Sequence, residues 1–168
     1  MMGSGKTTVG RLVAAKTGWP RFDNDQILIE LHGMNARELL EARGEDALRA
    51  AEDAALAHAL KQPAPAVIDA AAGTILSAES RAALREPIVV WLRATAETLF
   101  RRAAGAQHRP WLAKGEEWMR AAHEARGPLY ASIADAVIDT DGRAPDDVAT
   151  EVLDRITERC PGVQLHDA

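Results

Sequence analysis

Cysteine is nearly missing from this sequence: among 168 residues there is one, Cys160. A single thiol cannot form an internal disulfide framework, and no Cys/His group has the spacing of a zinc site. Aromatic residues are scarce too, at two Phe, four Trp and one Tyr, so much of the 47% apolar share is alanine. Basic charge is not in excess: 20 Lys and Arg against 25 Asp and Glu leave a net charge of −5. That balance argues against a nucleic-acid partner, since such proteins present a basic face. No apolar run approaches the roughly 18 residues of a membrane span. The place where a signal peptide carries its apolar stretch is taken by Gly-Ser-Gly-Lys-Thr-Thr. The expectation is a cytoplasmic protein with no membrane partner. Its residues 1–168 would form one domain, large enough to bury about 70% of the surface of the unfolded chain.

What is present is an alternation of short apolar runs and longer helical stretches, the pattern of parallel strands joined by helices. Strands are expected over Arg21–Asp25, Ala66–Ala71, Pro87–Ala94 and Asp135–Asp141. The middle pair is continuously apolar, which suits strands covered on both faces. Helices are expected over Lys6–Thr17, Gln26–His32, Ala36–Arg43, Asp46–Gln62, Ala78–Leu84, Ala96–Ala104, Glu116–Ala134 and Pro145–Arg159. Thr95 is a natural N-cap, and Gly18, Gly44 and Gly127 act as punctuation. Gly105–Gly115 has glycine at both ends and no period, the mark of an active-site lid.

Four groups of residues can carry chemistry. "GSGKTT" (Gly3, Ser4, Gly5, Lys6, Thr7, Thr8) reads as the end of a phosphate-binding loop. Its glycines let backbone N–H groups approach phosphate oxygens, and the helix that follows adds partial positive charge. In that reading Lys6 reaches the β- and γ-phosphates and Thr7 ligates Mg²⁺; the plainer alternative is a glycine-rich turn capping a helix. The second group, "FDND", sets Asp23 and Asp25 two apart, so that on a strand both carboxylates face one side. One would hold Mg²⁺ through water and the other accept a proton from a hydroxyl; a helix-capping turn is the alternative. Asp69 ends an apolar run, the place of a Walker-B-like metal partner or simply of a turn residue. Arg49, Arg102, Arg109 and Arg126 offer the guanidinium groups that neutralise a transferring phosphoryl group. His32, His58, His108 and His123 have no acid or metal partner at useful spacing and read as structural.

Taken in order, "GSGKTTVGRLVA", "FDNDQILIE", "GEDALRAAEDAAL", "VVWLRA", "RPWL", "RGPLY" and "VIDTD" resemble the shikimate kinase family over nearly the whole chain. The resemblance implies a three-layer α/β/α P-loop kinase fold with a five-stranded parallel sheet, a lid at about 105–115 and a substrate-binding helical region at about 26–62. It implies transfer of the ATP γ-phosphoryl group to the 3-hydroxyl of shikimate, a small hydroxy acid, with Mg²⁺, by a protein expected to be a monomer. By motif, Asp25 would bind the substrate hydroxyls and assist deprotonation, and Asp23 would be the outer-sphere magnesium partner. Arg49 and Arg126 would grip the substrate carboxylate, with Glu52 bracing Arg49. Arg109 would close on the phosphates, and Arg102 would stack on adenine. Gly73, last of the stretch Ala71-Ala72-Gly73, would lie against the substrate ring.

The sequence departs from the family pattern at two places. Ala71-Ala72-Gly73 stands where the family usually has three glycines, and Trp111 is bulky where the family often has a smaller residue. If positive φ were required at 71 or 72, alanine would cost about 1 kcal/mol or more. These changes keep open a kinase for another carboxylated polyol such as gluconate, or a non-catalytic nucleotide-binding homologue. The strand that normally precedes the phosphate loop, together with the loop's first glycine, is also missing. It is the central strand of that sheet. The natural start is therefore expected upstream of residue 1, and the chain as given is expected to be poorly stable, since each buried unpaired backbone group costs about 1–3 kcal/mol.

Overall fold

The computed structural model describes residues 1–104 and 114–161. Residues 105–113 of the expected lid, with His108, Arg109 and Trp111, lie outside the described residues, and its last residue, Gly115, begins a helix. The phosphate-loop segment leads directly into α1 (Lys6–Thr17), which ends at Gly18. β1 (Arg21–Asp23) is followed at once by α2 (Asn24–His32). Asn35 then opens α3 (Ala36–Leu60) with a capping box shared with Glu38. α3 is the expected helix pair run together, broken at Gly44, whose φ of 84° and ψ of 177° are not helical. β2 (Val67–Asp69), a 3-10 turn (Thr74–Leu76) and α4 (Ala78–Ala83) come next. β3 (Val90–Arg93) leads to α5 (Ala96–Ala103), which Thr95 caps by accepting the Thr98 N–H. α6 (Gly115–Ala131), β4 (Ala136–Asp139) and α7 (Pro145–Arg159) complete the chain.

All four strands fall inside the expected segments but are shorter, and they pair as two separate parallel ladders. β1 runs beside β2 with Asp23 opposite Asp69, and β3 beside β4 with Leu92 opposite Ile138. Among the described residues no strand joins the two ladders, where the family resemblance implies a single five-stranded parallel sheet. Between them lies a largely apolar cavity of about 240 Å³, lined by Val67 and Ile68 on one side and Val90, Trp91 and Leu92 on the other.

The core divides accordingly. Val9 and Val13 of α1 pack with Leu92, Ile138 and the buried face of α7 (Val148, Val152, Leu153). On the other side Leu28, Leu39, Leu48 and Met119 are almost fully buried, in one cluster with Met1, Met2 and Leu99. Each such leucine contributes about 1.5–3 kcal/mol by leaving water. α1 therefore sits on a packed base, which fixes the direction in which its N-terminus points. No described helix is long and apolar enough to cross a membrane.

Candidate active site

The glycines of the loop serve two different needs. Gly5 sits at φ 94° as the N-cap of α1, a left-handed conformation that a side chain resists. Gly3, at φ 74°, is pressed so close to the Leu99 carbonyl that an added Cβ would overlap it. α1 has neither a side-chain cap nor an acidic residue in its first turn. Its first N–H groups are thus left for an anion, which the helix dipole also favours. Ser4 is 1% exposed, and its Oγ has no hydrogen-bond partner among the described residues. The Lys6 ammonium donates to the Met1 carbonyl at 2.9 Å. The loop opens on a cavity of about 920 Å³ whose walls carry Asp23, Asp25, Arg49, Asp69, Arg102 and Arg126.

The two acids of "FDND" reach this cavity by a route the strand reading did not give. β1 stops at Asp23, and Asp25 lies in the first turn of α2. Asp23 Oδ1 accepts the Asp25 N–H at 3.0 Å, so it is Asp23 that caps the helix. Capping satisfies an orphan N–H that an extended Asp25 would have left to the ladder. The carboxylates consequently project from different elements into one space instead of sharing a strand face.

The opposite wall is built around Gly73. Arg49 Nη1 donates to Glu52 Oε2 at 2.7 Å, and its Nη2 to the Glu45 carboxylate at 3.1 Å. A Cβ on Gly73 would overlap both the Glu52 carboxylate and the Arg49 guanidinium. Gly73 itself has an ordinary φ of −82°, and no described non-glycine residue has positive φ. A side chain at 73 would have to displace the Glu52 carboxylate and the Arg49 guanidinium, and Ala71 and Ala72 carry no backbone strain. Burial pushes the Glu52 carboxyl above its usual range although Arg49 pulls it down. Arg126, on α6, is buried to 8% exposure; it donates to the Ala72 carbonyl at 3.4 Å and lies over the Trp118 ring at 5.8 Å. Burial lowers its pKa.

Tyr130 closes this wall, donating to the Ala72 carbonyl at 3.1 Å and stacking on Trp91 with ring centroids 5.4 Å apart. Burial pushes its pKa up to about 12, from an ordinary 10.0. Since the folded value is the higher, the stability this phenol contributes is complete below pH 10 and is lost as pH climbs toward 12. It is the one tyrosine of the chain, so a phenolate absorbance titration reads it alone. The expected midpoint is about 12 in the folded protein, and an ordinary midpoint would mean that the ring is solvated.

Arg102 lines the same cavity as the phosphate loop, held by Thr140 through its hydroxyl at 2.9 Å and its carbonyl at 2.7 Å. Asp69 lies 8% exposed at the end of β2, and burial raises its pKa against the opposing pull of Arg21. Among the described residues no group of three or more His, Cys, Asp or Glu could hold a metal ion. A metal here needs ligands from elsewhere, such as phosphate oxygens with the Thr7 hydroxyl. Sequence reasoning passed over Trp118, Tyr130 and Arg21. Trp118, Ala122 and Arg126 are spaced i, i+4, i+8 along one ridge of a helix, and Arg21 stands two residues from Asp23 on one strand face. Either spacing was a usable signal.

Residues 2–157 match the family model for shikimate kinase. The chain is similar to the shikimate kinase of Symbiobacterium thermophilum, with 38% identity over 95% of this chain and 94% of that one. It is similar also to that of Marinomonas sp., at 36% over 92% and 87%. Among solved structures, it superimposes on the shikimate kinase from Acinetobacter baumannii in complex with shikimate with a TM-score of 0.89, at 31% identity over 95% of this chain and 90% of that one. The Aquifex aeolicus shikimate kinase, at 23% identity and a TM-score of 0.81 over 96% of each chain, shares the fold.

Proposed function

The chain belongs to the shikimate kinase family, and from that premise we propose that it transfers the γ-phosphoryl group of ATP to the 3-hydroxyl of shikimate. One observation carries the reading. The phosphate loop, Asp25 and the two arginines Arg49 and Arg126 open on a single cavity. A phosphate donor, a base and a carboxylate grip are what phosphorylation of a hydroxy acid needs together.

Gly3 to Thr8 would hold the nucleotide phosphates, with Lys6 on the β- and γ-oxygens and Arg102 against the adenine. Arg49 and Arg126 would bind the acceptor carboxylate, Arg49 fixed in place by Glu52. The acceptor ring would lie along Ala71–Gly73, where the absence of a side chain at Gly73 leaves room. Asp25 would then take the proton of the attacking hydroxyl. Mg²⁺ would neutralise the phosphate oxygens; the α1 N-terminus, which has no side-chain cap, and the buried Ser4 hydroxyl, without a partner among the described residues, suit the nucleotide. Thr7 would ligate the metal, and Asp23 and Asp69 would act on it through water. Arg109 and the segment 105–115 would exclude water, which otherwise competes as acceptor.

A coupled ADP-release assay tests the reading. With ATP and Mg²⁺, shikimate is expected to accelerate ADP release far above the acceptor-free rate, and gluconate, quinate and nucleoside monophosphates are not. A shikimate rate equal to the acceptor-free rate overturns it.

A further inference from the structure

Arg21 does not line the nucleotide cavity, yet its guanidinium ties together two acids that do. Its Nε donates to Asp69 Oδ2 at 2.8 Å, and its Nη2 bridges Asp69 and Asp23. The parallel register of β1 and β2 places Asp23 directly opposite Asp69, and Arg21 reaches both from two positions further back on β1, on the same strand face. The three side chains are only 20%, 20% and 8% exposed. The remaining oxygen of Asp23 is taken by the Asp25 N–H. On the far side, Gly10 of α1 packs so tightly on Asp69 that a Cβ would overlap its carboxylate. The acids thus have little room to turn away from Arg21.

Two half-buried carboxylates facing each other beside a phosphate loop repel, and that repulsion is relieved by any divalent cation that enters. Here the relief is already supplied by a cation that cannot leave or lose its proton. We propose that Arg21 is a positioning residue that holds Asp23 and Asp69 as a charge-balanced pair, so that the free protein recruits little divalent metal and the metal enters with the nucleotide. The proposal rests on the reading of Asp23 and Asp69 as magnesium partners. It adds that their negative charge is offset in advance, leaving them to orient metal-bound water instead of capturing the ion.

Mn²⁺ binding, followed by the paramagnetic resonance signal of the free ion, tests this without turnover or acceptor. The full chain is expected to bind Mn²⁺ weakly alone and tightly with a non-hydrolysable ATP analogue. In Arg21→Met, melted in parallel to verify folding, nucleotide-free affinity is expected to rise at least about tenfold, the scale of removing a unit charge a few ångströms away. Arg21→Lys, which retains the charge, is expected to stay near the original affinity. Unchanged nucleotide-free affinity in folded Arg21→Met overturns the proposal and leaves Arg21 a strand brace. Should Arg21→Met not fold, the comparison with and without the analogue decides: equal Mn²⁺ affinity in both overturns it. Failure of shikimate as acceptor would leave these binding results unaffected, so the two readings fail separately.

Discussion

Replacing Asp25 by Asn is expected to lower shikimate-dependent turnover by about 100- to 10,000-fold, the usual contribution of a positioned general base. Affinity for ATP should not change, because the phosphate loop and Arg102 occupy other parts of the cavity. The substitution keeps size and hydrogen-bonding capacity but removes the ability to take a proton. It leaves the start of α2 intact, since the cap there is the Asp23 side chain accepting the residue 25 backbone N–H. A fall in kcat with an unchanged melting temperature therefore isolates the chemistry. Activity within a few-fold of the original protein would remove Asp25 from the role of base.

The second large effect is expected at a residue with no functional group. Gly73→Ala places a methyl where the Glu52 carboxylate and the Arg49 guanidinium now sit. Glu52 is 7% exposed, with Asn24 donating to its backbone carbonyl at 3.2 Å. It has little space to retreat, so the displacement passes to Arg49. A shift of about 1 Å in a positioning group can cost on the order of 100-fold. KM for shikimate is expected to rise by about 10- to 100-fold, with KM for ATP unaffected. An unchanged shikimate KM would show that Arg49 does not set the acceptor's position. Alanine at 71 and 72 carries no backbone strain, since neither position has positive φ.

The helices were largely legible in the sequence because their punctuation is local. α1 and α7 have the expected bounds, and Asn35, Gly44 and Thr95 act where their side chains, or the lack of one, dictate. The strands were legible as places and not as lengths. β1 is cut short because Asp23 finds a better partner in the Asp25 N–H than the ladder offers, a competition that alternation of residues does not reveal. The candidate site was legible as a set of residue types, since phosphate binding and proton transfer each demand particular side chains.

By itself the sequence determined the chemistry available: a glycine loop with Lys6 and Thr7, acids at 23, 25 and 69, and arginines at 49, 102 and 126, in an order resembling one family. Only the tertiary structure decided how those groups constrain one another. Gly73 lies against the Glu52 carboxylate and the Arg49 guanidinium, 21 and 24 positions away along the chain. Asp69 meets Arg21 across a parallel ladder, and Tyr130 is buried against Ala72 and Trp91. Such contacts depend on packing between elements distant in sequence, and local spacing carries no record of them.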